Sequence, residues 1–132
     1  MSLLIDELAA YMQTKGLGTV GTSIFKIQRP PAPVVCTSLH PTGGYPPDRY
    51  TAREKPTVMI YARAATPAAA MTRAYAAFNT LHRLQNIKLT NLFALTIEAS
   101  SSPAYLETEQ AGDQTAHLAG FNIWIDLRRA SS

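Results

Sequence analysis

The stretch from residue 56 to residue 84 constrains the fold more than any other part of the chain. Residues 57–64 are rich in Val, Ile and Tyr, which predicts a strand. A helix is predicted over 67–84, because the Thr66 hydroxyl can cap its first turn and proline at the first helical position loses no hydrogen bond. A strand that leads directly into a helix with one apolar face indicates a helix layer packed on a sheet.

Both predicted helices show apolar residues at three- and four-residue steps, which indicates one buried face on each. In the second helix these residues are Met71, Ala74, Tyr75, Phe78, Leu81 and His82. The first helix is predicted over 2–15, and it ends at Gly16, where a left-handed turn costs glycine nothing.

The remaining strands are predicted from short runs of alternating residues at 24–29, 34–40, 87–90, 92–100 and 115–128. One apolar face on the fourth run comprises Phe93, Leu95, Ile97 and Ala99, and one on the last comprises Ala119, Phe121, Ile123, Ile125 and Leu127. Several strands with only two helices favour an α+β fold. We expect a mixed, mostly antiparallel sheet of about four to six strands with two helices packed on one face. A chain of 132 residues without repeats predicts a single domain over 1–132.

Two long loops are predicted between these elements, at 41–55 and 100–113. The first carries Tyr45, Arg49 and Tyr50 among prolines and glycines, and the second carries Tyr105. Loops of this length in a compact domain are either functional or disordered, and the prolines and tyrosines favour a defined loop that makes contacts.

The titratable residues do not form a catalytic or metal-binding pattern. The three histidines have no second ligand at metal spacing, which favours ordinary structural histidines. The serines at 100–102 lack the G-x-S-x-G elbow of a nucleophile, and Glu107 and Glu109 are interpreted as solvated loop residues. The sequence therefore predicts no enzyme, no metal and no cofactor.

Other sequence features exclude further classes of function. The glycines at 16–21 match G-x-G-x-x-G, but a helix precedes them and a strand follows, which is the reverse of a dinucleotide site. The single cysteine, Cys36, excludes an internal disulfide. We interpret it as a small core residue, and a lone cysteine favours a protein of a reducing compartment. The net charge of +3 is too small to indicate nucleic-acid binding by itself, and no apolar run is long enough to span a membrane.

Five motifs stand in order along nearly the whole chain. They are TKGLGTVGT at 14–22 with Ile24-Phe25, TGGYPP at 42–47, KPTVMI at 55–60, AYAAFNTLH at 74–82, and EASSSPAYL at 98–106 with the closing strand. In this order and at these spacings they resemble the small minor capsid protein family of tailed bacteriophages, whose members are tail-terminator or tail-completion proteins.

The resemblance implies a structural virion protein of a siphophage or prophage, made in the bacterial host cytoplasm and located at the tail end of the head–tail junction. Such proteins form a hexameric ring that terminates the tail tube and joins it to the head connector. The implied partners are copies of the same chain, the tail-tube protein, the connector protein and DNA that passes through the ring without sequence recognition. The resemblance implies no catalysis and no cofactor, and no membrane partner is expected because no apolar run is long enough to span one.

Two alternatives stay open from the sequence. The first is a head-completion or neck protein at the same junction. The second is a small-molecule binding domain in which the loop at Gly43 and Gly44 covers a pocket.

A ring also gives a role to the two predicted loops. Neighbouring subunits in a closed ring contact each other through two different patches, and Tyr and Arg are enriched in interfaces. We therefore expect Tyr45, Arg49, Tyr50 and Tyr105 to contact neighbouring subunits. The alternative is that they only pack each loop on its own subunit.

Overall fold

The computed structural model of the chain describes residues 4–30, 34–43, 53–89 and 92–129. These ranges contain two helices and eight strands. In chain order they are α1 (Leu4–Thr14), β1 (Ile24–Lys26), β2 (Cys36–Pro41), β3 (Arg53–Glu54), β4 (Thr57–Ala64), α2 (Pro67–Leu81), β5 (Leu84–Lys88), β6 (Leu92–Ala99), β7 (Ala104–Ala111) and β8 (Gln114–Arg129). Neither described helix has the length and apolar character needed to cross a membrane.

All eight described strands belong to one sheet, in the order β1-β2-β4-β8-β6-β5. The β1–β2 pair is parallel, and the other pairs are antiparallel. The sixteen-residue strand β8 is central. Along one edge it pairs with β4 and then β3, and along the other with β7 and then β6. The predicted α+β class and mostly antiparallel sheet are confirmed, with more strands than the four to six expected.

The largest difference from the prediction is β7, which occupies most of the predicted loop at 100–113. The loop prediction is wrong for Ala104–Ala111, which pairs with β8 from end to end with one register shift between Tyr105 and Glu107. Most residues of β7 are exposed on both faces, so its sequence lacks the alternation of apolar and polar residues that marks a half-buried strand. Backbone hydrogen bonds to β8, which leave no such sequence signal, hold this strand in place.

The junction from β4 into α2 follows the prediction closely. The amide of Ala69 donates to the Thr66 hydroxyl at 3.2 Å, and Pro67 begins the helix. The helix ends at Leu81, three residues earlier than predicted, because the chain turns at Arg83 with φ +61 and enters β5 at Leu84. The predicted end of the first helix is also confirmed, since Gly16 has φ +83.

The buried face of α2 is rotated relative to the prediction. Its buried residues are Ala70, Ala74, Ala77 and Leu81, whereas the predicted Tyr75 is 43% exposed. Ala70 and Ala74 pack against Ala62, Ala64 and Ala119 of the sheet. Alanine carries the smallest apolar side chain, so the helix approaches the strands closely and its aromatic residues lie at the margins of the contact.

A larger apolar cluster fills the space beneath α1 and the second half of α2. It contains Ile5, Leu8 and Met12 of α1, with Leu39, Ile60, Leu81, Ile97 and the β8 residues Phe121, Ile123, Ile125 and Leu127. The predicted apolar face of β8 is thus confirmed. On β6 the buried residues are instead Leu92, Ala94 and Ile97, because a register shift between Ala94 and Thr96 changes which side chains face the core.

Candidate subunit interface

The hairpin of β7 and β8 carries the most exposed strand of the described chain. Its turn is formed by Gly112, at φ +63, and Asp113. Among the described residues β7 pairs only with β8, so its outer edge presents unpaired backbone N–H and C=O groups. Side chains at Ala104–Thr108 are exposed without interruption, so both faces of the strand are uncovered there. Such an edge can pair with another chain.

The other free edges of the sheet are short or irregular. Strand β1 has three residues and is followed by Ile27 at φ +77, a conformation that a β-branched residue rarely adopts. Strand β5 is interrupted at Asn86, which has φ +55 and no partner in the β6 register, and it ends at the exposed Lys88. Short strands, irregularities and lysine protect an edge from unwanted pairing. Strand β7 also has an irregularity, a register shift between Tyr105 and Glu107, but with eight residues it is the longest of these three edges.

Tyr105 is the predicted interface residue that the structure describes. It lies on β7 with 43% of its surface exposed, and its hydroxyl is 3.0 Å from His117 Nδ1 on β8. The next residue, Leu106, is 42% exposed. Tyr45, Arg49 and Tyr50 lie outside the described residues. Their role stays a prediction.

A charged cluster joins this hairpin to the segment between β1 and β2. Glu109 on β7 accepts from Arg29 Nε at 3.0 Å and from Arg63 Nη1 at 2.9 Å. Arg63 lies on β4 with 1% of its surface exposed, and its Nε donates to the Val34 carbonyl at 3.0 Å. The Arg29 guanidinium also lies 4.6 Å from the centroid of the Tyr61 ring. The cluster links the hairpin to Arg29 and, through Arg63, to Val34.

Hydrogen bonds control the charge states in this cluster. The bond from Arg29 is the main cause that lowers the pKa of Glu109 to about 2, with help from Arg63 and against the opposing effect of burial. The same bond to Glu109 raises the pKa of Arg29. Burial, followed by the charge of Arg29, lowers the pKa of the neighbouring His40. At neutral pH a carboxylate with two guanidinium partners is a poor proton acceptor, so the cluster suits a structural role better than general-base catalysis.

The interpretation of Glu109 as a solvated loop residue was therefore wrong. Its partners lie 80 and 46 residues away in sequence, and only the register of the sheet brings them together. The one available signal was Arg63, a charged residue inside the otherwise apolar strand β4. The three histidines have structural surroundings: His40 packs against Tyr61, His82 Nδ1 accepts from Ala99, and His117 faces Tyr105.

A groove of about 710 Å³ lies on the helix side of the sheet, beside α2. Its walls are mainly small and apolar, with Leu17 after α1, Val35 before β2, and Ala69 and Ala76 on α2. Arg73 is its charged lining residue. The Arg73 Nη2 donates to the Ser23 carbonyl at 3.2 Å, while its Nε is buried without a hydrogen-bond partner. Burial lowers the pKa of Arg73, and no carboxylate of the described chain pairs with it.

The comparisons with known proteins relate this fold to bacteriophage tails. Residues 11–127 match the family described as bacteriophage tail terminator protein. Six chains of solved structures also match. One, from the "Virion of native gene transfer agent (GTA) particle", is 16% identical with a TM-score of 0.59, over 96% of this chain and 99% of that chain. At this identity the likeness shows a shared fold alone.

A comparison with curated proteins gives no significant match. The family match spans most of the chain, from the last turn of α1 to the buried part of β8. The chain belongs to the bacteriophage tail terminator family, which is a family of structural tail proteins and not of enzymes.

Proposed function

We propose that this chain is a siphophage or prophage virion protein that forms a closed ring on the end of the tail tube. The ring stops further growth of the tube and presents a surface to the head connector. Family membership supports a role in the tail. The observation that carries the ring is the long edge of β7, unpaired in the described chain and exposed on both faces. In a closed ring each copy can cover this edge of its neighbour, so that no copy leaves its β7 edge free.

Six copies are the simplest number for a ring that caps a six-fold tube. The mass in solution would then be about six times that of the 14.4 kDa chain. Light scattering coupled to size exclusion measures this mass, and negative-stain images show whether the particle has a central hole. A monomer at all concentrations would contradict the ring.

The capping activity is tested with purified tail-tube subunits. Added at the start of polymerisation, a terminator shortens the tubes in proportion to its concentration and remains bound at one end. A head-completion or neck protein at the same junction would leave tube length unchanged and would bind the connector instead. Tube lengths measured by electron microscopy therefore separate the two readings.

DNA would cross the bore of such a ring on its way out of the head. Each copy carries a net charge of +3, so a ring of several copies is positively charged overall. We expect weak DNA binding that falls as salt rises and does not depend on sequence. Binding that is insensitive to salt would contradict a role of these charges in DNA passage.

The groove beside α2 is the feature that favours the small-molecule alternative. Its volume suits a ligand, but most of its walls are alanine and threonine side chains, and Arg73 is its charged group. Ligand pockets combine apolar walls with several converging polar groups that fix orientation. The groove fits this description poorly, and a protein partner is the better occupant.

A further inference from the structure

The groove beside α2 contains a cation whose neighbours do not balance its charge. Arg73 makes one hydrogen bond, to the Ser23 carbonyl, and its Nε is buried without a partner. A half-buried charge without a counter-ion is costly, because it has lost part of its water and gained no opposite charge. An occupant with apolar side chains and one carboxylate would cover the groove and pair with this guanidinium.

The chain itself carries a segment with that composition. On β7 the exposed apolar side chains of Tyr105 and Leu106 are followed directly by Glu107. Glu107 is exposed and forms no hydrogen bond or ion pair with any described residue. Within one subunit this carboxylate lies on the far side of the sheet from Arg73.

The sheet register shows that the groove and the Tyr105–Glu107 segment lie at opposite ends of the same row of paired residues. Cys36 pairs with Arg63, Arg63 with Leu118, and Leu118 with Glu107, which forms one row across four strands. Val35 and Thr37, the neighbours of Cys36, line the groove at one end of this row. Strands lie about 4.8 Å apart, so the row spans roughly 14 Å. Two different patches at one height on opposite flanks are what a head-to-tail ring contact needs.

We propose that the groove beside α2 of one subunit receives the Tyr105–Leu106–Glu107 segment of the next, with the Glu107 carboxylate against the Arg73 guanidinium. The apolar side chains cover Val35 and the alanines of α2, and the ion pair fixes the register of the contact. This inference rests on the proposed ring and identifies the two surfaces that build it.

A charge exchange tests the contact. Glu107→Arg places two cations together and is expected to reduce the oligomer to the 14.4 kDa monomer at concentrations where the unchanged chain is assembled. Arg73→Glu is expected to do the same. The double variant restores opposite charges, and we expect it to recover most of the oligomer. Light scattering coupled to size exclusion measures all three variants, and circular dichroism verifies that each is folded.

Two further variants keep the test decisive if Arg73→Glu does not fold. Ala76→Trp fills the groove from the exposed side of α2 without altering a charge, and it should also give monomers. Asp113→Arg makes the same charge change on the turn of the same hairpin, away from the exposed apolar pair, and should leave the oligomer intact.

The outcomes separate this inference from the ring itself. If the chain without any substitution is a monomer, the proposed ring is contradicted. An oligomer that survives both Glu107→Arg and Ala76→Trp contradicts the proposed contact and leaves the ring standing. Rescue of Arg73→Glu by Asp113→Arg instead of Glu107→Arg would also overturn the assigned pair.

Discussion

The two ends of strand β8 are held in place by different forces. From Phe121 to Leu127 its inward side chains are buried beneath the helices in a continuous apolar cluster. From Gln114 to Leu118 it pairs with β7, whose side chains are mostly exposed, and the Arg29–Glu109–Arg63 cluster ties this end to the rest of the sheet. One strand therefore joins a hydrophobic core to an exposed arm that is held by ion pairs. The arm consists of β7 and residues Gln114–Leu118 of β8.

This difference separates stability from assembly. Apolar burial is non-directional and contributes most of the folding free energy. An ion-pair cluster contributes less net free energy, because desolvation offsets the attraction, but its hydrogen bonds fix an orientation. We therefore expect substitutions at the core end to change the free energy of unfolding, and substitutions on the arm to change the oligomer.

Phe121→Ala should have the largest effect on stability. The ring is fully buried and meets Phe78 edge-on at 5.6 Å, so its removal leaves a cavity under α2. We expect the free energy of unfolding to fall by about 3–5 kcal/mol. Urea denaturation followed by circular dichroism measures this change. A loss below about 1 kcal/mol, the size expected at an exposed site, would remove the contrast between the two ends.

Glu109→Gln should have the next largest effect. The amide keeps the shape of the carboxyl but not its charge, and it removes the ion pair between Glu109 and the buried Arg63. Removal of one partner from a buried pair costs about 3–5 kcal/mol, and the partial exposure of Glu109 reduces our expectation to about 2–3 kcal/mol. Glu107→Gln, two residues away on the same strand, is the matched control. Equal losses in the two variants would show that the cluster does not hold the arm.

Acid should weaken the same attachment. The pKa of Glu109 is lowered to about 2 in the folded chain, below the ordinary value of 4.5. Its contribution to stability is therefore complete above pH 4.5 and is lost as the pH falls towards 2, which amounts to about 2 kcal/mol by pH 3. Urea denaturation at pH 6 and pH 3 should show a larger loss for the unchanged chain than for Glu109→Gln. Equal losses of unfolding free energy in the two proteins would show that groups other than Glu109 cause the acid sensitivity.

The core end of the molecule was predictable from sequence because its signals are local. Thr66 and Pro67 mark the start of α2 within two residues, and the alternation along β8 shows which side chains face the helices. Even here, the buried face of α2 was misplaced. The sequence does not show that small alanines, and not the larger Tyr75, meet the sheet.

The arm was not predictable in the same way. Its strand β7 shows no alternation, and the partners of Glu109 are distant in sequence, so only the register of β8 brings the cluster together. The lone cation Arg73 and the groove around it also depend on how α2, β2 and the turn after α1 pack. Aromatic composition did indicate Tyr105 as a candidate, although on a loop and not on a strand.

Tyr105→Ser should have the smallest effect on stability. It is also the most direct test of whether stability and assembly depend on different parts of the molecule. The ring is 43% exposed and its hydroxyl bonds the half-buried His117, so we expect the free energy of unfolding to change by at most about 0.5 kcal/mol. The same substitution removes an aromatic side chain from the proposed contact and should shift the oligomer towards monomer by at least tenfold in dissociation constant. Tyr75→Ser is the control, because Tyr75 is equally exposed but lies on α2 and is not among the residues that line the groove. Dilution followed by light scattering compares the two. If both substitutions weaken the oligomer equally, assembly depends on exposed aromatic surface in general and not on the arm. If neither substitution weakens it, β7 is not a contact surface.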